Sequence, residues 1–320
     1  MFTPFVGRVP TKSTLRRALG HFKAIVETKI EEQDENNNRG SDVVVVIATD
    51  MPVRRWLNSR ACYDARGMRL EVCITTTGFT GLIDKRTRGT LKIVSFTGGI
   101  QHGETTMESC RQILDHVTPY ERHLRVLLKA DTIVGRHIRQ PSVSILPTQV
   151  SLHAGAPAGM RVIIEIEVFY RSLPVLDAWC RAYFDCPSVQ AVIGVKFYPA
   201  RPRDHPTRYS AVAMLFRRAD DQVVLTDAVS FGTLAADQDV TRHLQRDART
   251  NVRMLPPPTP EQVINRINPW TPPVHDGFLT VPAQDFSHDI DAIHVPANAP
   301  AFQLDLFRLL ARSLPEDQTP

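Results

Sequence analysis

Apolar and polar residues alternate along this chain with periods that change from one stretch to the next. Within residues 11–33, Leu15, Leu19, Phe22, Val26 and Ile30 recur at three- and four-residue spacing. That period predicts an amphipathic helix, with Ser13 placed as its N-cap. The polar run "DENNNRGS" (34–41) reads as an exposed loop. Strands are expected at 43–48, 68–76 and 91–97, with a short helical piece near 52–60. A helical region is expected over about 105–133, interrupted at Pro119.

The most regular stretch comes next. A strand over 142–152 leads through "HAGAPAG" to "RVIIEIEVFY" (161–170), which has the near-continuous apolar character of a strand buried on both faces. A helix follows, with Ser172 as cap, Pro174 in its first turn and Leu176, Trp179, Cys180 and Tyr183 on its apolar face. "CPS" breaks that helix, and "VQAVIGVKFY" (189–198) is a second buried strand. Strand–helix–strand over this length is a βαβ unit, which implies parallel pairing. The segments 209–216 and 222–229, joined around "RRADD", read as a hairpin.

Past residue 250 the character changes. Twelve of the 24 prolines lie in 256–320, so this segment is expected to be extended, wrapping the body or standing off it. It ends in "AFQLDLFRLLARSL", where Phe302, Leu306, Leu309 and Leu310 would dock an amphipathic helix on the body. The division predicted is therefore 1–235 as an α/β domain and 236–320 as a proline-rich tail with a C-terminal helix.

Composition narrows the class of protein. With 42% hydrophobic and 22% charged residues the chain is an ordinary globular sequence, and its longest apolar run, "VVVVIA", is too short to span a bilayer. No cationic-then-apolar leader opens it, and its five cysteines form no CxxC. An intracellular protein, cytoplasmic or nuclear, with reduced thiols and no membrane partner is expected. The net charge of +4 hides an asymmetry: residues 256–320 hold three arginines against eight acidic residues, a net of −5, leaving +9 on residues 1–255. A basic body is compatible with a polyanionic partner such as nucleic acid.

Several motifs can be set aside. "GGIQHGETT" (98–106) has Walker-type glycine spacing, but Glu104 stands where a phosphate-binding lysine is needed, so no nucleotide cofactor is expected. His288, Asp289, Asp291 and His294 lie close in sequence but within the proline-rich segment, where a solvated loop is the simpler reading. No GxSxG elbow occurs. The pairs Arg16/Arg17, Arg54/Arg55 and Arg217/Arg218 read as solvated surface.

The carboxylates of 161–170 remain. Glu165 and Glu167, two apart on a strand, point to the same face, and apart from Arg161 they are the only charges there. Lys196 is the only charge in the strand expected beside them. Like charges side by side in an apolar strand are unfavourable unless a cation compensates them. That cation is either Lys196, in a buried ion pair with one glutamate while the other is exposed near a strand end, or a divalent metal that the two glutamates bind.

A strand, a second strand carrying Glu-x-charged, a helix and a returning strand is similar to the core of the PD-(D/E)XK, or restriction-endonuclease-like, superfamily. The wording "RVIIEIEVFYRSLPVLDAWCRAYFDCPSVQAVIGVKFY" resembles its endonuclease families, most clearly over 140–235. The resemblance implies a mixed central sheet flanked by helices. It implies Glu165 as a metal ligand, with Glu167 beside it at the position where the family carries lysine, and Lys196 as the replacement cation. Mg²⁺ would be held by Glu165 and Glu167. The family's aspartate falls on Thr148 or Gln149, so Gln149 is the remaining candidate ligand, and Glu27 of the first helix is a candidate helix-borne acid. A neutral amide is a poor magnesium ligand. The departures imply a nuclease-like protein that is non-catalytic but could bind nucleic acid. The alternatives are an active Mg²⁺-dependent DNA endonuclease and a protein-interaction module with no nucleic-acid role.

Overall fold

The computed structural model describes residues 3–34, 44–59, 68–77, 79–80, 82–96, 100–118, 124–148, 159–168, 171–198, 209–219, 222–234, 238–245, 251–272, 276–287 and 300–313. These form a mixed α/β structure with two large sheets and one small one. The six-stranded sheet contains, in spatial order, β1 (Phe5–Val6), β2 (Val45–Pro52), β4 (Arg88–Phe96), β3 (Met68–Ile74), β7 (His137–Arg139) and β6 (Thr132–Val134). The seven-stranded sheet contains β13 (Asn251–Met254), β12 (Gln222–Gly232), β11 (Ser210–Ala219), β10 (Ala191–Tyr198), β9 (Val162–Glu167), β8 (Val143–Pro147) and β5 (Leu124–Leu128). A third sheet pairs β14 (Phe278–Val281) with β15 (Phe302–Asp305).

The helices distribute over these sheets according to their apolar faces. Helix α1 (Lys12–Asp34) lays Leu15, Ala18, Phe22 and Val26 on the six-stranded sheet, where they meet Val45, Ile47 and Leu91 and, from α2 (Val53–Leu57), Val53 and Trp56. Helix α3 (Ile100–Val117) and α4 (Leu173–Ala182) contribute to the two clusters on opposite faces of the seven-stranded sheet. In β9 the residues Val162, Ile164 and Ile166 belong to the cluster that contains α3 residues, and Ile163 to the one that contains α4 residues. The alternation places Glu165 and Glu167 on the α4 side.

The βαβ unit has the expected form. Strands β9 and β10 are parallel, and α4 runs between them with Ser172 at the N-cap in extended conformation and proline in the first turn. Leu176, Trp179, Cys180 and Tyr183 are all buried. Strands β11 and β12 form the antiparallel hairpin. Other boundaries differ. Thr11, rather than Ser13, caps α1: Ser13 already lies inside the helix, and the Thr14 backbone N–H donates to Thr11 Oγ1 at 3.3 Å. The helical region expected to about 133 ends at Val117 as a helix, and 124–128 and 132–134 are strands. Pro119 disfavours the helix before it, and the segments beyond it find backbone partners in β8 and β7.

The segment 236–320 supplies elements to the same body. Strand β13 adds to the edge of the seven-stranded sheet, parallel to β12. Helices α5 (Gln238–Leu244), α6 (Pro260–Ile264), α7 (Gln284–Ser287) and α8 (Leu306–Ser313) lie between or after the short strands. Helix α8 buries Leu306, Leu309 and Leu310, as its periodicity implied, and Phe302 is buried from β15. Trp270 is 0% exposed; its ring meets Phe231 of β12 and Phe307 of α8 edge-on, and its Nε1–H donates to Pro256 O at 2.8 Å. Glu108 of α3, itself buried, meets Arg308 at 2.7 Å and Arg312 at 3.9 Å, so charge and apolar contact hold α8 in the same place.

Replacing Trp270 by alanine should cost about 3–5 kcal/mol, the range for deleting a buried tryptophan. Urea unfolding measures this. A loss below about 1 kcal/mol, outside that range, would mean that the proline-rich segment is only loosely attached.

Candidate functional site

The register between strands determines which charges meet. In the parallel pair β9–β10, Lys196 lies opposite Glu167 and Gly194 opposite Glu165. Glu165, Glu167 and Lys196 therefore share one sheet face, each with at most 2% of its surface exposed. Glycine at 194 lets α4 close on the sheet beside Glu165. A Cβ there would come within 2.8 Å of Cys180 Sγ and 3.2 Å of Met214 Cε. The closeness of α4 brings two donors to Glu165. Trp179 Nε1–H donates to Glu165 Oε1 at 2.9 Å, and the Tyr183 hydroxyl, in the 3-10 turn Tyr183–Asp185 after α4, donates to the same oxygen.

The other carboxylate oxygen faces a different sheet. Arg69 of β3, 2% exposed, places Nη1 at 2.5 Å from Glu165 Oε2. Its Nη2 donates to Ser142 Oγ at 2.6 Å, and the same hydroxyl accepts the Ile166 backbone N–H at 3.1 Å. The β8–β9 register pairs Val143 with Ile164, so Ser142 stands one step on, beside Glu165. Thr148 lies at the far end of β8 from Ser142, and Gln149 is outside the described residues, as is the Glu27 side chain. The position adjoining Glu165 on the neighbouring strand thus holds serine.

Around this pair the charges continue. Arg171 Nε lies 3.5 Å from Glu167 Oε2. Arg139 Nε donates to Glu71 Oε1 at 3.0 Å, and His137 Nδ1 lies 2.9 Å from the same oxygen. The guanidinium carbons of Arg139 and Arg171 lie 3.8 and 4.0 Å from the Trp179 ring centroid, close enough for cation–π attraction. Lys196 Nζ is 5.5 Å from the Tyr198 ring centroid. Four cations (Arg69, Arg139, Arg171, Lys196) and three carboxylates (Glu71, Glu165, Glu167) are gathered, all buried. Among the described residues no group of three or more His, Cys, Asp and Glu side chains is gathered as metal ligands would be. His288, Asp289, Asp291 and His294 lie outside the described residues.

These neighbours set protonation. Burial works against the Arg69 charge, but Glu165 and Glu167 more than offset it and hold the guanidinium above its ordinary value. Burial and the Glu165 charge push the Tyr183 hydroxyl well up, so it remains a donor. At Glu71 burial would raise the carboxyl, yet His137 and Arg139 hold it below its ordinary range. His102 of α3, 3% exposed, has its Nε2 at 3.1 Å from Ile166 O, in the strand between the two glutamates. A carbonyl only accepts, so Nε2 carries the proton. Burial, then the Arg69 charge, lower this imidazole to about 3.

Sequence reasoning located Glu165, Glu167 and Lys196 but not Arg69, Glu71, Arg139, Arg171 or Ser142. One signal was present. In "MRLEVCITT", Arg69 and Glu71 stand two apart in an apolar strand, the same pattern as Glu165 and Glu167. Two strands that each turn a pair of charges to one face are candidates to face one another.

His102 gives a pH dependence with a definite sign. Its folded value lies below its ordinary 6.5, so the unfolded chain binds the proton more readily between about 6.5 and about 3. Stability from this group is complete above pH 6.5 and is lost as pH falls, by about 1 kcal/mol per pH unit. His102→Gln, which keeps a donor for Ile166 O, should flatten the acid limb of a stability–pH profile measured by urea unfolding from pH 7 to about 4. An unchanged slope would place His102 in water.

No protein-family model matches the chain, and no curated protein matches it in sequence. Among solved structures, a candidate nuclease of the DUF820 group from Anabaena variabilis is similar over 43% of this chain and 71% of its own. The identity is 16% and the TM-score 0.28.

Proposed function

We propose that this chain is a nuclease-like protein without phosphodiester-cleaving activity, in which an arginine stands where a restriction-endonuclease-like enzyme would hold a divalent cation. The observation that carries this reading is the crowding of the Glu165 carboxylate by donors and a cation. A carboxylate oxygen offers about two lone-pair sites. Those of Oε1 are taken by the Trp179 indole and the Tyr183 hydroxyl, and Oε2 faces the Arg69 guanidinium as an ion pair at 2.5 Å, without hydrogen-bond alignment.

Magnesium requires near-octahedral oxygen ligands and keeps several waters. The donors beside Glu165 do not fit it. Ser142 Oγ, in the neighbouring strand, already meets Arg69 and the Ile166 N–H. Glu167 has Arg171 alongside. A dication placed between the glutamates would face both guanidiniums. The β8–β9–α4–β10 arrangement agrees with the core that the sequence resemblance implies, so the reading keeps the nuclease-like fold while assigning its charged centre to structure.

The test is incubation of the purified chain with supercoiled plasmid and single-stranded DNA in Mg²⁺ or Mn²⁺, alongside thermal unfolding with and without metal. No nicking and no metal-induced rise in melting temperature are expected. Glu165→Gln should lower stability, because it leaves a buried guanidinium uncompensated. Metal-dependent nicking that disappears in Glu165→Gln would overturn the reading in favour of an active endonuclease.

A further inference from the structure

Several arginines of the seven-stranded body are matched with acids: Arg181 with Asp177, Arg217 with Asp285, Arg253 with Asp227 and Asp276, and Arg308 with Glu108, while Arg218 donates to backbone carbonyls. One end of the six-stranded sheet is different. There β2 finishes and α2 begins with Arg54 and Arg55, β4 starts after Lys85 and Arg86 with Arg88, and the β6–β7 turn presents Arg136.

Register and hydrogen bonds show that these residues share that end. Pro52 lies opposite Arg88, the Val53 N–H donates to Thr87 O, the Thr75 N–H donates to Arg88 O, and the Ile74 N–H donates to Arg136 O. All six cations except the half-buried Arg88 are exposed, and among the described residues none meets a carboxylate within 4.0 Å. Arg136 and Arg88 donate to backbone carbonyls, Ile74 O at 3.1 Å and Asp50 O at 3.4 Å, which fixes their placement without neutralising them. Among the described residues the acids nearby are Asp50, Asp84 and Asp185, the last with Oδ2 3.3 Å from where a Cβ of Gly135 would stand. Asp84 is engaged by the Arg86 and Thr87 backbone N–H groups and the Thr87 hydroxyl, and their hydrogen bonds, Thr87 first, hold its carboxyl below the ordinary range.

From this geometry we infer that this end of the six-stranded sheet is a binding surface for the phosphate backbone of nucleic acid. The strands β2, β4, β3 and β7 lie side by side, so the six cations span about 14 Å at the strand spacing. A duplex presents about eight phosphate charges over that length. Five of the six are arginines, whose planar guanidinium meets phosphate oxygens bidentately. The surface lies outside residues 140–235 and uses none of the side chains around Glu165, so it stands or falls independently of the function proposed above.

The experiment is fluorescence anisotropy of a labelled duplex, and of a single strand of the same length, titrated with the full chain at two salt concentrations. If four phosphates are neutralised, affinity should fall about 100-fold between about 50 and about 200 mM NaCl. The triple substitution Arg54→Glu, Arg55→Glu, Arg86→Glu lies on exposed positions and should weaken binding at least about 10-fold at low salt. The control Arg16→Glu, Arg17→Glu, on the exposed face of α1, should change it little. Circular dichroism confirms that the variants fold. Equal affinity of the triple variant and the wild type, no binding at low salt, or binding to phosphatidylserine vesicles in preference to nucleic acid would each overturn the inference.

Discussion

A guanidinium and a carboxylate, both out of water, join the two large sheets at Arg69 and Glu165. Either charge alone in that position would cost several kcal/mol, whereas together, with Ser142 on Arg69 and Trp179 and Tyr183 on Glu165, they are tolerated. The pairing explains several features at once. Glycine is needed at 194 so that α4 can bring Trp179 and Tyr183 onto the second carboxylate oxygen. Ser142 binds Arg69 on one side and the β9 backbone on the other, which fixes the strand as well as the cation. The sheets can meet in this way only with the charged face of β3 against the charged face of β9.

The same crowding limits the chemistry of the centre. A metal ligand must have neighbours that welcome a cation, and Glu165 faces the Trp179 and Tyr183 donors and the Arg69 guanidinium. The excess positive charge of the body is used differently in two places. Inside, arginines are distributed among glutamates and stacked on Trp179. At the end of the six-stranded sheet, among the described residues, they form no ion pair within 4.0 Å, which is how a surface that meets phosphate is expected to look.

The sequence made much of the seven-stranded sheet legible, because its signals are local. The apolar runs at 161–170 and 189–198, with a proline-started helix between them, determine a parallel pair without knowledge of any distant residue. The face shared by Glu165 and Glu167 followed from alternation alone. The identity of their partner did not. Arg69 lies on another sheet, and periodicity states which face a side chain takes but not what stands opposite. The position beside Glu165 was sought near Gln149 by counting along the chain, whereas the antiparallel register of β8 and β9 brings Ser142 there. The prolines past 250 were a weaker guide for a related reason. Trp270, Phe286 and Phe302 enter the core singly between short elements, so no period announces their burial.

The claim on which the account rests is that Arg69 and Glu165 compensate each other. A double-mutant cycle of Arg69→Met and Glu165→Gln, read by urea unfolding near neutral pH, tests it directly. Each single change should cost about 3–5 kcal/mol by leaving a buried charge alone, and the double variant should be more stable than the sum of the two by at least about 2 kcal/mol. Losses that add within about 0.5 kcal/mol, or a Glu165→Gln variant more stable than the wild type, would contradict the account.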